Sequence, residues 1–436
     1  MDEPIVILGA GLTGLSCAYF LDQRNYQIFE KESEVGGICR TAHRGGFHFD
    51  YTGHLLHFRH PEIRGFVGRL LSERLRLIKR RAFIRSHGVL TPYPFQANTY
   101  RLPTPVNREC LLGFIRAYCA ADHRSPPANF EEWTMRNFGE GNAKHFMIPY
   151  NRKLWGVDLK ELTAEWTSRF VPRPKLEDVV DGALGIEAQG LGYNPTFLYP
   201  RRGGIMVLPQ ALAARVRPVE LGAEAIAVDL ERRTVRFRDG RTAVYSHLVS
   251  TLPLKRLAAI CRALPPALRL AGRRLRHNSV LNLNLGVRRR LSGKHWIYFP
   301  EPRWPFYRLG FLSNFSRWVC PPGCSTLYLE TSYLPGREPN PRTVYRRSLA
   351  ALQELGLIRS ERDVVVKKFL RIECAYVLFD HHHGGSVAAL RAYLEQRGVH
   401  SIGRYGEWKY SSIEDALLDG RAAATKLCGD VRSFTL

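Results

Sequence analysis

Residues 1–40 constrain everything downstream, because they spell a strand, a glycine turn, a helix and a second strand in that order. Ile5-Val6-Ile7-Leu8 is a short apolar run suited to a buried parallel strand. Gly9-Ala10-Gly11-Leu12-Thr13-Gly14 follows at once and opens a helix over Leu15 to Gln23. Tyr26-Gln27-Ile28-Phe29 is the second strand. In such a unit each glycine has its own task. Gly9 makes the tight turn, Gly11 lets backbone approach a pyrophosphate, and Gly14 lets helix and strand pack closely. Free amides and the helix dipole then favour negative charge at the helix N-terminus. Glu30 ends the second strand, where an acid accepts ribose hydroxyls. The glycine spacing alone would also fit an ordinary turn. The strand before it, the helix after it and Glu30 together point to dinucleotide binding.

Gly36-Gly37-Ile38-Cys39-Arg40 follows soon after the acidic strand end. This stretch resembles the second signature of FAD-binding, amine-oxidase-like flavoproteins, which NAD enzymes usually lack. FAD is therefore the expected dinucleotide.

A chain of 436 residues can build two or three lobes with sizeable cores. Its 45% hydrophobic and 24% charged content exclude a disordered chain. The formal charge of +24, from 64 Lys+Arg against 40 Asp+Glu, favours an anionic partner such as nucleic acid, a membrane surface or a phosphorylated metabolite. The basic residues are mostly scattered arginines, with local runs at Lys79-Arg80-Arg81 and Arg288-Arg289-Arg290, and no nucleic-acid motif accompanies them. Nine cysteines without paired CxxC sets fit free thiols in a reducing cytoplasm, not a disulfide framework or zinc site. Met1-Asp2-Glu3-Pro4 lacks a basic n-region and no long apolar window appears, so neither signal peptide nor membrane span is expected.

Further along, Gly45-Gly46-Phe47-His48-Phe49-Asp50 reads as a hairpin, Pro61 to Leu77 as an amphipathic helix, and 82–90 as a second hairpin. Asn107 to Asp122 is helical, and Asn129 with Glu132 resembles a capped start for the next helix. From Gly203 an α/β pattern returns, with a helix over Val207 to Val216 and short strands at 219–221 and 235–237. Leu248-Val249-Ser250-Thr251-Leu252-Pro253 is a buried strand expected to rejoin the first sheet. The expected fold class is α/β: a Rossmann-type FAD-binding domain with an inserted helical lobe and a mixed or antiparallel sheet domain. The division runs 1–58 FAD-binding, 59–195 helix-rich substrate lobe, 196–278 FAD-binding, 279–385 mixed sheet over flavin and substrate, and 386–436 FAD-binding.

Several polar and aromatic clusters sit in glycine- or proline-marked loops, where sites tend to lie. They are Thr52-Gly53-His54, Pro92-Tyr93-Pro94-Phe95-Gln96, Pro149-Tyr150-Asn151 with Trp155, Trp166 to Arg169, Tyr193-Asn194, and the stretches around Trp296 and Arg308. Taken singly, each reads equally as packing, and a lone histidine such as His54 reads first as a core residue. His381-His382-His383 lacks a supporting acid or cysteine cluster, so no metal site is expected. Ser411 or Ser412 can cap the final helix, with Glu414 and Asp415 in its first turn. Such a helix start, aimed at a flavin edge, would stabilise the charge of the reduced ring.

Taken in order, these clusters resemble UDP-galactopyranose mutases, especially the eukaryotic-type members and their bacterial relatives. The likeness covers nearly the whole chain, through Asp50-Tyr51-Thr52-Gly53-His54, Pro92 to Gln96, Asn151 with Trp155, Arg169, Asn194, Trp296 with Tyr298, Arg308, Tyr376 and Gly403-Arg404 through Tyr410. It implies an isomerase that interconverts pyranose and furanose forms of a nucleotide sugar, UDP-galactose or a related NDP-hexose. Reduced FAD would attack the anomeric carbon through N5, forming a flavin–sugar adduct that opens and recloses. NAD(P)H is a candidate external reductant.

The resemblance also implies roles. Arg169 and Arg308 would clamp the diphosphate, and Tyr298, Tyr376 and Tyr410 would donate hydroxyls to it. Tyr93, Phe95 and Gln96 would hold the base, with Asn151, Trp155 and Trp296 also on the substrate side. Asn194 would face the sugar and His54 would lie against the isoalloxazine. Gly9, Gly11, Gly14, Glu30, Gly36, Gly37, Arg40, Arg404, Ser412 and Asp415 would bind FAD. The likeness implies polysaccharide or glycoconjugate biosynthesis with a nucleotide sugar as partner; the cysteine usage points to the cytoplasm, the lack of a nucleic-acid motif to no nucleic-acid partner, and homo-oligomerisation is left open. Two positions depart from the family pattern: Thr52-Gly53 replaces a glycine pair before the histidine, and His57 stands where eukaryotic-type enzymes carry Phe. The segment after Tyr410 is also shorter than theirs. An oxidase or dehydrogenase of the amine-oxidase or protoporphyrinogen-oxidase type shares the first forty residues but gives no reason for two clamp arginines and a tyrosine set. A flavin-binding protein without turnover is the third reading.

Overall fold

The computed structural model describes residues 3–72, 74–120, 125–171, 173–186, 195–429, 431 and 433–434; the side chains of Ser168 and Arg169 lie outside that description. β1 (Ile5–Leu8), α1 (Leu12–Leu21) and β2 (Tyr26–Phe29) form the expected unit. Their sheet has five parallel strands, in the order Val399–Ser401, His247–Ser250, β1, β2, Val219–Glu220. The strand at 247–250 thus rejoins the first sheet beside β1, as its apolar run requires. Every residue of β1 is buried, as a strand covered on both faces must be. Every residue of α1 is buried too, because the helix Ile413–Cys428 covers its outer side. The two helices approach closely: the Ser16 hydroxyl donates to Leu417 O at 2.7 Å. A Cβ on Gly420 would stand 2.6 Å from Ser16 Cβ.

A small sheet, Ala225–Asp229, Thr234–Phe237 and Thr242–Val244 with Cys261–Arg262, packs on the other side of the parallel sheet. Phe29 and Phe237 stack across that boundary at 4.4 Å. The third sheet is the largest. Its seven strands run Val364–Val377, His277–Val287, Ser325–Tyr333, Arg308–Phe311, Trp296–Tyr298, Ala82–Ser86, Val89–Pro92. The hairpin expected near 82–90 forms and extends this sheet.

Side chains alternate across a strand, so each sheet has two distinct faces. Leu283, Leu285, Ile297, Leu309, Phe311, Leu327 and Leu329 make one face apolar, and the helix Pro341–Glu354 covers it. The intervening positions carry Asn282, Asn284, Tyr298, Arg308, Tyr328 and Glu330. A buried sheet face this polar must serve something other than packing.

Helices Thr104–Cys119, Phe130–Asn142, Ile148–Trp155 and Leu176–Leu184 supply the helical lobe. Asn129 caps the second of these, its side chain accepting from Glu132 N at 2.9 Å. The helix expected over Pro61 to Leu77 ends at Leu70. Ser72 turns into the left-handed region (φ 49°), and Leu75–Lys79 becomes a strand paired antiparallel with Thr196–Pro200. Tertiary pairing there overrides local helix propensity.

Candidate functional site

The glycine turn after β1 answers two steric demands. Gly9 has φ 98°, and a Cβ there would lie 2.2 Å from the Thr251 hydroxyl oxygen. A Cβ on Gly14 would lie 2.0 Å from Gly9 O. Gly11 differs, because the nearest atom to its Cβ would be Gly37 Cα at 3.9 Å. No protein atom forbids a side chain at Gly11. The gap lies at the start of α1, which has no side-chain cap, and so suits an approaching anion. Glu30, buried at the end of β2, accepts from Ala10 N at 2.8 Å and Glu32 N at 3.0 Å. Arg40 fixes the second glycine pair by donating from Nε to Gly37 O at 2.8 Å, while Nη1 reaches Glu32 at 3.0 Å. Gly36 N closes the cradle on Ala10 O at 2.9 Å.

At the other end, Ser412 and Asp415 form a reciprocal capping box at the start of the last helix. Both side chains are spent on that cap, so any anion there meets the helix terminus itself. Glu414 between them is buried and accepts from Arg59 N at 2.7 Å, His60 N at 2.9 Å and Arg59 Nε at 3.1 Å. That carboxylate ties the helix start to the segment following His54. Arg404 donates to Ser411 O at 2.9 Å and Ala375 O at 3.0 Å and lies over the Tyr410 ring at 4.8 Å. Its Nε is buried without a partner.

The polar face of the large sheet forms the opposite wall. Tyr298, Arg308, Glu330 and Asn282 stand in one register row across four strands. Glu330 is fully buried and grips Arg308 twice, Nε to Oε2 at 2.7 Å and Nη2 to Oε1 at 2.8 Å. Burial works against the guanidinium's charge, but Glu330 and the surrounding phenols more than offset it. Among the described residues Nη1 of Arg308 has no hydrogen-bond acceptor, which leaves that edge for a ligand.

Aromatic rings surround this cation. Tyr298 meets Tyr93 at 5.5 Å and Tyr150 at 5.2 Å. Tyr376 meets Trp155 at 5.7 Å and stacks with Tyr410 at 6.0 Å. Phe146 stacks between Phe95 at 5.0 Å and Tyr150 at 5.3 Å.

His54 belongs to the same group. It keeps some solvent contact while protein surrounds it, as in a residue lining an enclosed cleft. Burial, then the cations of Arg308 and Arg404, lower its pKa to about 4, so the ring is neutral near pH 7. Its Nδ1 is buried without a partner. Gly53 beside it has a plain steric cause, because a Cβ there would lie 2.1 Å from the Tyr328 hydroxyl. Asn282 donates to Tyr51 O and holds the same loop from below. Asp50, at the loop's start, accepts from Thr41 at 2.6 Å, Tyr199 at 2.7 Å and Ile205 N at 3.3 Å. Burial pushes its carboxyl up to about 6.

The geometry therefore gathers His54, Arg308, Tyr93, Tyr298, Trp155, Tyr376, Tyr410 and Arg404. Asn151 is buried and spent on its own helix, donating to Met147 O at 2.7 Å and accepting from Trp155 Nε1 at 3.2 Å. Gln96 is buried at the foot of the Tyr93–Phe95 loop. Trp296, two residues before Tyr298, packs against Phe197 and Phe315. Asn194 and the Arg169 side chain lie outside the described residues. His383 turns its Nε2 to Trp408 O at 2.8 Å.

Sequence reasoning missed Glu330, Tyr328 and Lys153. Glu330 left a signal, as the one acid between Glu301 and Glu338, directly after the apolar run Leu327-Tyr328-Leu329. Lys153 donates from Nζ to Phe299 O at 2.7 Å, Phe306 O at 2.7 Å and Glu301 O at 3.1 Å. It pins the turn between Tyr298 and Arg308 to the helix that carries Tyr150 and Asn151. Burial draws its pKa down to about 7.

The cradle fits an extended dinucleotide. The gap at Gly11 suits the pyrophosphate, and the unpartnered His54 Nδ1 and Arg404 Nε mark polar atoms that await a ligand at the far end.

Comparison with known proteins gives four findings. The family described as flavin containing amine oxidoreductase matches residues 12–428. The chain is similar to the crystal structure of reduced UDP-galactopyranose mutase, with 29% identity and a TM-score of 0.92, over 98% of this chain and 96% of that one. It shares its fold with cyclohexylamine oxidase from Brevibacterium oxydans IH-35A, at 15% identity and a TM-score of 0.69, over 98% and 99% of the two chains. Among curated proteins, dTDP-fucopyranose mutase of Escherichia coli is 25% identical over 219 residues, 44% of this chain. That match spans about half (52%) of the relative's length.

Proposed function

The chain belongs to the flavin-containing amine oxidoreductase family, and from that footing we propose that it is an FAD-dependent nucleotide-sugar mutase interconverting pyranose and furanose rings. It is an isomerase flavoenzyme. The observation that carries this reading is the Arg308–Glu330 pair, a fixed buried cation with one free edge, set among tyrosines and beside His54. A diphosphate that must leave and return needs such a cation held in place. Oxidation of an amine has no use for it.

Gly9, Gly11, Gly14, Glu30, Gly36, Gly37 and Arg40 would hold the adenosine diphosphate half of FAD. Arg404 and the helix start at Ser412 and Asp415 would hold the flavin half, with His54 against the ring. When bound and reduced, the isoalloxazine supplies the nucleophile for the sugar's anomeric carbon. Arg308, together with Arg169, keeps the departing diphosphate oriented. Tyr298, Tyr376 and Tyr410 donate hydroxyls to it. Tyr93, Phe95 and Gln96 hold the base, Asn151 and Trp155 shape the wall beside it, Trp296 backs Tyr298, and Asn194 meets the sugar. Residues 59–195 form the substrate lobe and 279–385 the sheet over flavin and substrate. UDP-galactose, or a related deoxy- or amino-hexose on UDP or dTDP, is the substrate class. The enzyme works in the cytoplasm for glycan assembly, with NAD(P)H as the external reductant.

The test titrates reduced holoprotein with UDP, dTDP and their hexose conjugates, alongside Arg308→Ala. The reading expects tight binding of a nucleotide sugar to wild type and loss of turnover with FAD retained in the variant. Unchanged turnover in Arg308→Ala would remove Arg308 from the site.

A further inference from the structure

The formal charge of +24 is unevenly spread. Residues 74–108, 195–219, 240–300 and 302–329 contain no aspartate or glutamate. The fold brings parts of all four together around His295. The His295 Nδ1 accepts from Arg81 N at 2.9 Å, and its ring meets Phe197 and Phe315 at 5.5 Å each. Ser316, just past Phe315, donates to Arg201 O at 2.5 Å.

The outer layer of this region is basic. Arg76, Arg81, Arg201, Arg202 and Arg317 are all exposed. Among the described residues none of the five enters an ion pair, whereas Arg238, Arg241 and Arg303 each hold a carboxylate. Trp318, beside two of them, is 45% exposed. The Arg202 guanidinium lies over its ring at 3.9 Å and that of Arg317 at 4.9 Å.

We propose that this basic face, with Trp318 held between Arg202 and Arg317, docks the protein onto an anionic lipid bilayer surface. Cations that enter no ion pair among the described residues suit a continuous negative surface, and a half-exposed indole suits the depth of lipid headgroups. Two guanidinium groups already occupy the π surface of Trp318, which leaves little for a nucleobase to stack upon. The proposal stands on the patch alone and does not depend on the catalytic reading.

The test is co-sedimentation of the full-length holoprotein with phosphatidylcholine vesicles, with and without phosphatidylglycerol, at low and high salt. The expected result is salt-sensitive binding to phosphatidylglycerol vesicles only. Arg202→Glu/Arg317→Glu should weaken it by about tenfold or more, and Trp318→Ser by several-fold. Arg232→Glu/Arg233→Glu makes the same change in net charge on the turn of the small sheet and should change binding less than about twofold. Bound-flavin absorbance confirms that each variant is folded. Absence of binding to anionic vesicles, an equal loss in the control variant, or capture of single-stranded DNA without vesicle binding would each overturn the proposal.

Discussion

Arg308 and Glu330 face each other across two antiparallel strands and share two hydrogen bonds of 2.7 and 2.8 Å, with the carboxylate fully buried. The pair is a positioning device, since the carboxylate takes the Nε–Nη2 edge and fixes where the remaining edge points. Glu330→Gln keeps the shape and removes the charge. It should lower kcat/KM by roughly 10- to 100-fold with FAD content unchanged, as expected when one charge-assisted contact to the cation proposed to hold the diphosphate is weakened. Glu330→Ala strands the guanidinium and should cost about 3–5 kcal/mol of stability. Steady-state kinetics and thermal melts of both variants check this; wild-type kinetics in Glu330→Gln would remove the positioning role.

The glycines of the first turn separate a ligand effect from a folding effect. A Cβ at Gly14 strikes Gly9 O, whereas one at Gly11 makes only an ordinary contact with Gly37 Cα at 3.9 Å. Gly14→Ala should therefore lower the melting temperature of the apoprotein. Gly11→Ala should fold normally yet bind FAD at least about tenfold more weakly, and Gly11→Val should lose it. Equal FAD affinity in Gly11→Ala and wild type would show that the pyrophosphate lies elsewhere.

Lys153 satisfies three backbone carbonyls with one ammonium. Lys153→Met leaves them without a donor, at a cost of about 3 kcal/mol. The turn it pins lies between Tyr298 and Arg308, so KM for the nucleotide sugar should rise more than kcat falls. Unaltered KM with lowered stability would confine Lys153 to a structural role.

His295 gives stability a pH dependence of definite sign. Burial, then Arg81 and Arg76, lower its pKa from 6.5 to about 4. The unfolded chain therefore takes up a proton between those values that the folded chain refuses. Its contribution is whole above pH 6.5 and is lost as pH falls toward 4. His54 and His400 act in the same direction and window. Asp50, raised from 3.8 to about 6, acts oppositely and favours the fold at the acid end. Melts from pH 7 to 4 should show falling stability, and His295→Gln, which keeps an acceptor for Arg81 N, should make the fall shallower. An unchanged slope would contradict the assignment.

The glycine turn, Glu30 and the returning strand at 247–250 were legible because their signals are local. The Pro61 to Leu77 helix was misread because Leu75–Lys79 is held by Thr196–Pro200, a partner remote in the chain that no local pattern announces. Glu330 escaped for a related reason: its partner is set by strand register, and neither residue's neighbours point to the other. Trp155 Nε1 donates to Asn151 Oδ1 one helical turn earlier, a contact not read from the sequence, where both residues were set on the substrate side.

The central claim is tested most directly by incubating the purified flavoprotein with UDP-galactofuranose, with and without dithionite, and separating products by anion exchange. The account predicts conversion of the furanose to the pyranose form only when the flavin is reduced. Tight binding of a different nucleotide sugar by the reduced form, with no conversion of this one, would change the substrate and keep the reaction. No binding of any nucleotide sugar, with flavin reduction by amines and oxygen uptake instead, would contradict it.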